Sequence, residues 1–253
     1  MPRNPRKRAH SGVYHVMLRG INKQIIFEDN QDRFRLLDTI QECKDRYGFN
    51  LYGYCLMDNH VHLLIREREE SISRVIQWLS ASYVYWYNKK YERSGHLYQD
   101  RFKSETVETA SSFLRVLRYI HQNPLKAGLA RDVFNCNWTS LNEYMGRGHL
   151  VDVDFGLQLF SSERKAAVRL FSEYMSETND DEFLDNHSLV RVADADLATY
   201  MLELGIPSGN VLQQMDKVER NVVIRKMKQI DGVSLRQLAR VTGISKSVLS
   251  RLR

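Results

Sequence analysis

The chain has 253 residues, 43% of them hydrophobic and 27% charged, with a formal net charge of +6. That is long enough for a full core and for more than one unit, and the ordinary hydrophobic content indicates a soluble globular protein. No apolar run approaches the roughly 20 residues of a membrane span, and Met1-Pro2-Arg3-Asn4-Pro5-Arg6-Lys7-Arg8 lacks the apolar centre of a secretion signal, so a cytoplasmic protein without a membrane partner is expected. Cys43, Cys55 and Cys136 have no CxxC spacing and read as small buried hydrophobes rather than as a disulfide or zinc framework.

Charge is unevenly distributed: +7 over residues 1–150, −8 over 151–203 and +7 over 204–253. Two basic units flanking an acidic, partly helical connector are expected, and basic surfaces either attract phosphate or are simply solvated.

In chain order, Val13 to Leu18 reads as a strand ended by Arg19-Gly20. A helix capped by Asp29 or Asn30 follows, with Phe34, Leu37, Ile40 and Tyr47 as its apolar stripe and Gly48 as its stop. Phe49 to Leu56 is a second strand, and Asp58-Asn59 is a turn before a third, His60 to Ile65. Ser71 or Ser73 opens a long helix through Tyr91 that carries Trp78, Tyr83, Trp86 and Tyr87. Glu105 to Glu108 is a fourth strand, and Ser111 or Ser112 caps a helix ended by Pro124. This order implies an α+β fold, an antiparallel sheet with helices against one face. Beyond it, a helix is expected from Ser161 to about Glu177, with Ala167, Leu170, Phe171 and Tyr174 on one side, then a polar loop over 178–188.

The chemistry starts at His60-Val61-His62. Side chains at i and i+2 of a strand leave the same face, so two imidazoles stand side by side in an apolar, β-branched stretch. Buried there, they require either hydrogen-bond partners or a divalent metal. Tyr119 and Asn123 are four apart on a helix and share a face, offering a phenol and an amide oxygen together. His121 lies about 200° around that helix from Tyr119 and reads as structural.

At the carboxyl end, Ser234 to Leu252 has a helix-turn-helix pattern. Ala239 allows close approach, Gly243 permits the turn, Ile244, Leu249 and Leu252 pack the second helix, and Ser245 caps it. Lys246, Ser247, Ser250 and Arg251 would face a DNA major groove. A preceding helix from about Val218 to Ile230 completes three helices.

Across residues 8–145 the chain resembles the single-tyrosine HUH transposases, and among them the REP-associated tyrosine transposases. The resemblance runs through Tyr14-His15-Val16 with Arg19-Gly20, Ile26-Phe27, Met57-Asp58-Asn59-His60-Val61-His62-Leu63-Leu64, Arg101-Phe102-Lys103-Ser104, and Tyr119-Ile120-His121-Gln122-Asn123-Pro124 with Lys126-Ala127-Gly128. Asp58 departs from the proline found in many relatives.

The resemblance implies a ferredoxin-like HUH transposase domain over 1–150; the charge pattern adds an acidic connector over 151–203, and the helix-turn-helix pattern adds an all-α DNA-binding domain over 204–253. It implies His60, His62 and Asn123 as ligands of Mg²⁺ or Mn²⁺, although the ligands alone leave zinc open. Tyr119 becomes the nucleophile of a single-strand DNA endonuclease and strand transferase that forms a 5′-phosphotyrosine on hairpin-bearing repeat DNA. A DNA-binding regulator that has lost cleavage is the alternative. Arg19, Arg101, Lys103 and the arm Arg3, Arg6, Lys7, Arg8 are the expected phosphate contacts, and duplex DNA is the expected partner of the carboxyl-terminal unit. Tyr83, Tyr85 and Phe102 read either as core or as stacking platforms. Both a monomer and a homodimer are compatible with the resemblance.

Overall fold

Strands apolar on alternate residues need one cover, whereas strands apolar throughout need two. Tyr14, Val16, Leu18, Val61, Leu63 and Ile65 are buried on one face of the sheet, and His15, Met17, His62 and Leu64 are buried on the other. The expectation of helices against one face is thereby corrected. The computed structural model describes residues 7–146, 149–178, 181, 183, 184, 194–228, 230, 233 and 235–251, and they divide into two units, 1–184 and 185–253.

In the first unit, β1 (Val13–Arg19), β2 (Asn50–Met57), β3 (His60–Arg66) and β4 (Lys103–Thr106) form an antiparallel sheet in the order β2-β3-β1-β4. The expected fourth strand, Glu105 to Glu108, sits two residues earlier. It is a polar edge strand set by its pairing with β1, Met17 opposite Lys103 and His15 opposite Glu105, rather than by any apolar alternation of its own.

Helix α1 (Asn30–Tyr47) begins in a capping box, where Asp29 accepts from the Asp32 amide at 3.1 Å and Asp32 accepts from the Asp29 amide at 3.2 Å. Gly48 ends the helix at φ 66°. Its buried side is Asp32, Leu36, Ile40 and Cys43; of the expected stripe Ile40 is buried, Leu37 and Tyr47 are half-buried against the core, and Phe34 is not buried. Phe34 is 58% exposed and rests against Trp138. The buried carboxylate of Asp32 takes the inward position beside Lys90 (2.7 Å) and the Tyr91 hydroxyl, and Phe34 is turned outward.

Helix α2 (Ile72–Lys90) starts at Ser71 and buries Tyr83 and Tyr87 completely. Their hydroxyls donate to the Ile26 carbonyl (2.7 Å) and to Glu28 (2.8 Å). Tyr83 is therefore core, whereas Tyr85 is 72% exposed.

Helix α3 (Ala110–Lys126) is capped by Thr109 with Ser112, two residues before the earlier of the expected caps, Ser111 and Ser112, and it continues through Pro124 instead of stopping there. The proline ring removes one helical hydrogen bond, but its fixed φ suits a helix. The end comes at Gly128 (φ 71°), where the Ala127 amide reaches the Asn123 carbonyl at 3.0 Å and the Leu129 amide reaches the Pro124 carbonyl at 2.9 Å. The helix lies close to β2 because Gly53 has no side chain: a Cβ there would stand 2.9 Å from Leu117 Cδ1.

The first unit continues past the expected boundary at residue 150. Helices α4 (Leu141–Met145), α5 (Val153–Gln158) and α6 (Arg164–Ser176) pack onto it. Asp152 holds the Leu51 amide at 2.9 Å, the Tyr144 hydroxyl donates to the Tyr52 carbonyl at 2.7 Å, and Phe171 stacks on Tyr144 at 4.6 Å. Residues 151–184 are thus part of the first unit and not a connector. Net charge reads the solvent side of α6, whereas Ala167, Phe171 and Met175 decide where the helix goes.

The second unit contains α7 (Asp194–Glu203), α8 (Gly209–Gln214), α9 (Lys217–Lys228), α10 (Leu235–Thr242) and α11 (Lys246–Arg251) around Leu197, Met201, Leu212, Ile224, Met227, Leu238 and Leu249. Helices α7 and α8 join the three expected helices because Leu197, Met201 and Leu212 fill that core. Between α10 and α11, Gly243 has φ 69° and the Ser245 carbonyl accepts from the amides of Val248 (3.0 Å) and Leu249 (3.1 Å). Among the described residues, no helix is long and apolar enough to cross a membrane. The three cysteines are buried thiols.

A Gly53→Val substitution tests the approach of α3. Overfilling this contact should lower stability by about 1–3 kcal/mol, read as a lower urea midpoint with an unchanged slope; an unshifted midpoint would show that α3 does not depend on this contact.

Candidate functional site

β1 and β3 carry the polar centre of the first unit. Direct cross-strand partners share a face, so the pairings Arg19–His60, Met17–His62 and Met17–Lys103 put Arg19, His60, His62 and Lys103 on one side of the sheet, together with His15. His60 is 8% exposed and His62 is fully buried, and their ring centres lie 4.9 Å apart. Each ring has a partner at Nδ1: Asn59 Oδ1 lies 2.6 Å from His60, and His15 Nε2 lies 2.9 Å from His62. Both rings are held in a set orientation.

Helix α3 is laid over this face. Tyr119, 4% exposed, packs edge-on against His62 at 5.6 Å and His15 at 5.8 Å, while Lys126 Nζ stands 5.5 Å from the Tyr119 ring centre. Asn123 is one turn further along the same side of α3 and is 8% exposed. The two histidines and the tyrosine expected from the sequence are therefore in contact, with the asparagine on the helix that covers them. Among the described residues, no group of three or more His, Cys, Asp or Glu is arranged to hold a metal. The expected set contains only two such residues, with an amide as its third member.

The segment after α6 lies over the tyrosine. Phe183 packs on Tyr119 at 5.1 Å and on His15 at 5.9 Å, and Leu184 is buried. Asp181 bridges Arg115 (2.7 Å) and Arg118 (3.1 Å) of α3, and its backbone carbonyl accepts from Lys126 at 2.9 Å. Burial alone would raise the Asp181 carboxyl, but hydrogen bonds from the two guanidinium groups hold it below the usual carboxylate range. The sequence reads this stretch as a polar loop; only the spacing of Asp181 and Phe183 to α3 in space reveals its contacts. His15 was equally hidden, since its role depends on strand register.

The expected phosphate contacts are dispersed. Arg19 and Lys103 border the histidine face. Lys7, Arg8 and Arg101 line a separate cavity of about 550 Å³ that also holds Glu67, Glu69 and Glu70, so that site is mixed in charge. Arg3 and Arg6 lie outside the described residues. In the second unit, Ser247 and Ser250 are exposed on α11, and Lys246 and Arg251 belong to the same helix, although their side chains lie outside the description. Phe102 is half-buried and lines a cavity of about 720 Å³ with Tyr98, Ile76 and Gln77.

His121, two residues from Tyr119, faces the opposite way as expected. Its Nε2 lies 2.8 Å from Ser140 Oγ, and burial pushes its pKa down to about 3.

The family model described as "Transposase IS200 like" matches residues 8–123. Among solved structures, the chain shares the fold of a REP-associated tyrosine transposase bound to a REP hairpin: 17% identity, TM-score 0.50, covering 61% of this chain and 90% of that one. A chain from Deinococcus radiodurans R1 assigned as a transposase aligns at 16% identity and TM-score 0.35, over 51% of this chain and 99% of that one. No curated protein matches the sequence.

His121 makes a pH prediction. Its pKa is lower folded than unfolded, so its neutral form contributes stability that is complete above about pH 6.5 and is lost as pH falls toward 3, at up to about 1.4 kcal/mol per pH unit. Urea unfolding across this range should show a shallower pH dependence for His121→Gln than for the parent; identical slopes would contradict the assignment.

Proposed function

We propose, because residues 8–123 are an IS200-like transposase segment, that the chain cleaves and rejoins single-stranded DNA through Tyr119. The observation that carries this reading is the packing of a buried phenol against His62, whose ring in turn adjoins His60. A phenol is a weak nucleophile at neutral pH, and a phosphodiester repels attack by its own charge, so the reaction needs cationic help.

The residues present suit a divalent ion. With Nδ1 of His60 and of His62 each engaged by a protein partner, ligation falls to Nε2 of both rings. Two imidazoles and the Asn123 amide oxygen match Mg²⁺ or Mn²⁺ with positions left over for phosphate and water. When bound, such an ion would neutralise charge on the scissile phosphate and polarise its phosphorus.

The protein's own groups do the rest. The Tyr119 oxygen forms the new bond to phosphorus while the bond to the 3′ oxygen breaks. The phenol proton leaves, the released 3′ oxygen gains one, and a 5′-phosphotyrosine remains. Because one phosphodiester replaces another, the step reverses without an energy source. Lys126 near the Tyr119 ring favours negative charge on the phenol, and Arg19 and Lys103 border the same face to hold flanking phosphates. A hairpin-bearing single strand is the proposed substrate, in keeping with the DNA bound by the structural neighbour.

The second unit is proposed to bind duplex DNA through α11. The support is the turn at Gly243, the exposed Ser247 and Ser250, and the net charge of +7 over 204–253. Replacing both serines by glutamate should weaken duplex binding about tenfold or more by phosphate repulsion. Filter binding at fixed salt checks this, and unchanged affinity would remove α11 from the interface.

For cleavage, a labelled hairpin-bearing single strand incubated with Mn²⁺ should form a covalent adduct with the parent and none with Tyr119→Phe. Loss of His62 as alanine should slow cleavage about 100-fold or more, since a metal supplies several kcal/mol of transition-state stabilisation. An adduct on Tyr119→Phe would overturn the nucleophile, and cleavage without any adduct would indicate attack by water. Binding without cleavage of any hairpin would favour the regulator.

A further inference from the structure

We infer that His15 and Glu105 are positioning residues for His62, acting in series to fix which of its nitrogens carries the proton. This rests on the proposed reading of His62 as a metal ligand.

The geometry is a line across three strands. His15 Nε2 lies 2.9 Å from His62 Nδ1, and the two rings stack at 5.1 Å with 29° between their planes. On its other side, His15 Nδ1 faces Glu105 Oε2 at 3.9 Å. His15 and Glu105 are direct partners in the pairing of β1 with β4, and His15 and His62 are diagonal neighbours between β1 and β3. His15 is fully buried, whereas the Glu105 side chain is 41% exposed. Among the described residues, His15 Nδ1 has no hydrogen-bond partner. A buried ring nitrogen without a partner is costly, and the 3.9 Å separation is closed by a small rotation of the half-exposed glutamate or by one bridging water.

Proton bookkeeping gives the line a direction. A neutral imidazole carries one N–H, so His62 can present the Nε2 lone pair to a cation only if its proton is on Nδ1. That N–H must donate, which makes His15 Nε2 the acceptor. His15 then carries its own proton on Nδ1, directed at Glu105. In the opposite arrangement, His15 Nε2–H donates to His62 Nδ1, and the His62 proton blocks Nε2. The two states differ only in where the protons sit. The carboxylate of Glu105 favours the first, because it stabilises an N–H at His15 Nδ1 and repels a lone pair there. His60 needs no such relay, since Asn59 Oδ1 accepts directly from its Nδ1–H.

The test is Mn²⁺ titration of the full chain without DNA, together with nitrogen NMR of its histidines in the metal-free state. The parent should show protonated Nδ1 on both His15 and His62. Glu105→Gln should weaken Mn²⁺ binding about tenfold or more, the usual scale for a partner of a ligating histidine, and shift both rings toward the other tautomer. His15→Gln should bind within a few-fold of the parent, because its amide oxygen accepts the His62 proton unaided, and adding Glu105→Gln to it should cause no further loss. The relay is overturned if Glu105→Gln binds like the parent, or if it weakens binding equally in the His15→Gln background, which would mean a direct charge effect. His62→Ala is the control for the underlying reading: undiminished Mn²⁺ binding there would sink the ligand assignment itself, whereas loss there with an unaffected Glu105→Gln sinks the relay alone.

Discussion

α3 must come down onto a sheet face that carries imidazoles among its aliphatic side chains, and the site depends on how that contact is made. The absence of a side chain at Gly53 lets Leu117 sit against β2. With the helix at that height, Tyr119 meets His62 and His15 ring to ring. A side chain at that position would press on Leu117 Cδ1, and in an interior packed this densely the leucine must give way.

Burying His15, His60 and His62 on the sheet face and His121 on α3 has its own requirement: each ring needs hydrogen bonds from inside the protein. The structure meets it in a different way for each. His60 turns to the neighbouring Asn59, His62 turns to His15, and His121, on the helix itself, turns to Ser140. His121 is neutralised by burial and is removed from any acid–base role. His60 and His62 are left as an oriented pair, which is what a cation-binding arrangement needs and what an ordinary core does not.

The residues after position 150 close the same face. Gln122 of α3 donates to the carbonyls of Met175 and Glu177, Arg118 pairs with Glu177 and Asp181, and Phe183 finishes over Tyr119. Their acidic character, which from composition suggests a spacer, supplies the counter-charges for the arginines on α3. A charged side chain at 8% exposure such as Arg118 is tolerable only with such partners.

By itself the sequence determined the elements whose signal is local. The i, i+2 spacing of His60 and His62 in an apolar strand, the i, i+4 spacing of Tyr119 and Asn123, a helix cap at Asp29 or Asn30, the Gly48 and Gly243 turns and the α+β order all follow from backbone periods, capping chemistry and glycine freedom. Tertiary structure decided what depends on partners far away in the chain. Phe34 yielded the buried side of α1 to Leu36 because Asp32 is drawn inward by Lys90. β4 starts at Lys103 instead of Glu105 because β1 set the register, and His15 joined His62 because two strands happen to pair with Met17 opposite both His62 and Lys103. Helix and turn signals are written over three or four neighbouring residues, whereas register and burial are settled by contacts between residues 15, 62, 105, 119 and 183, whose pairing no local pattern specifies.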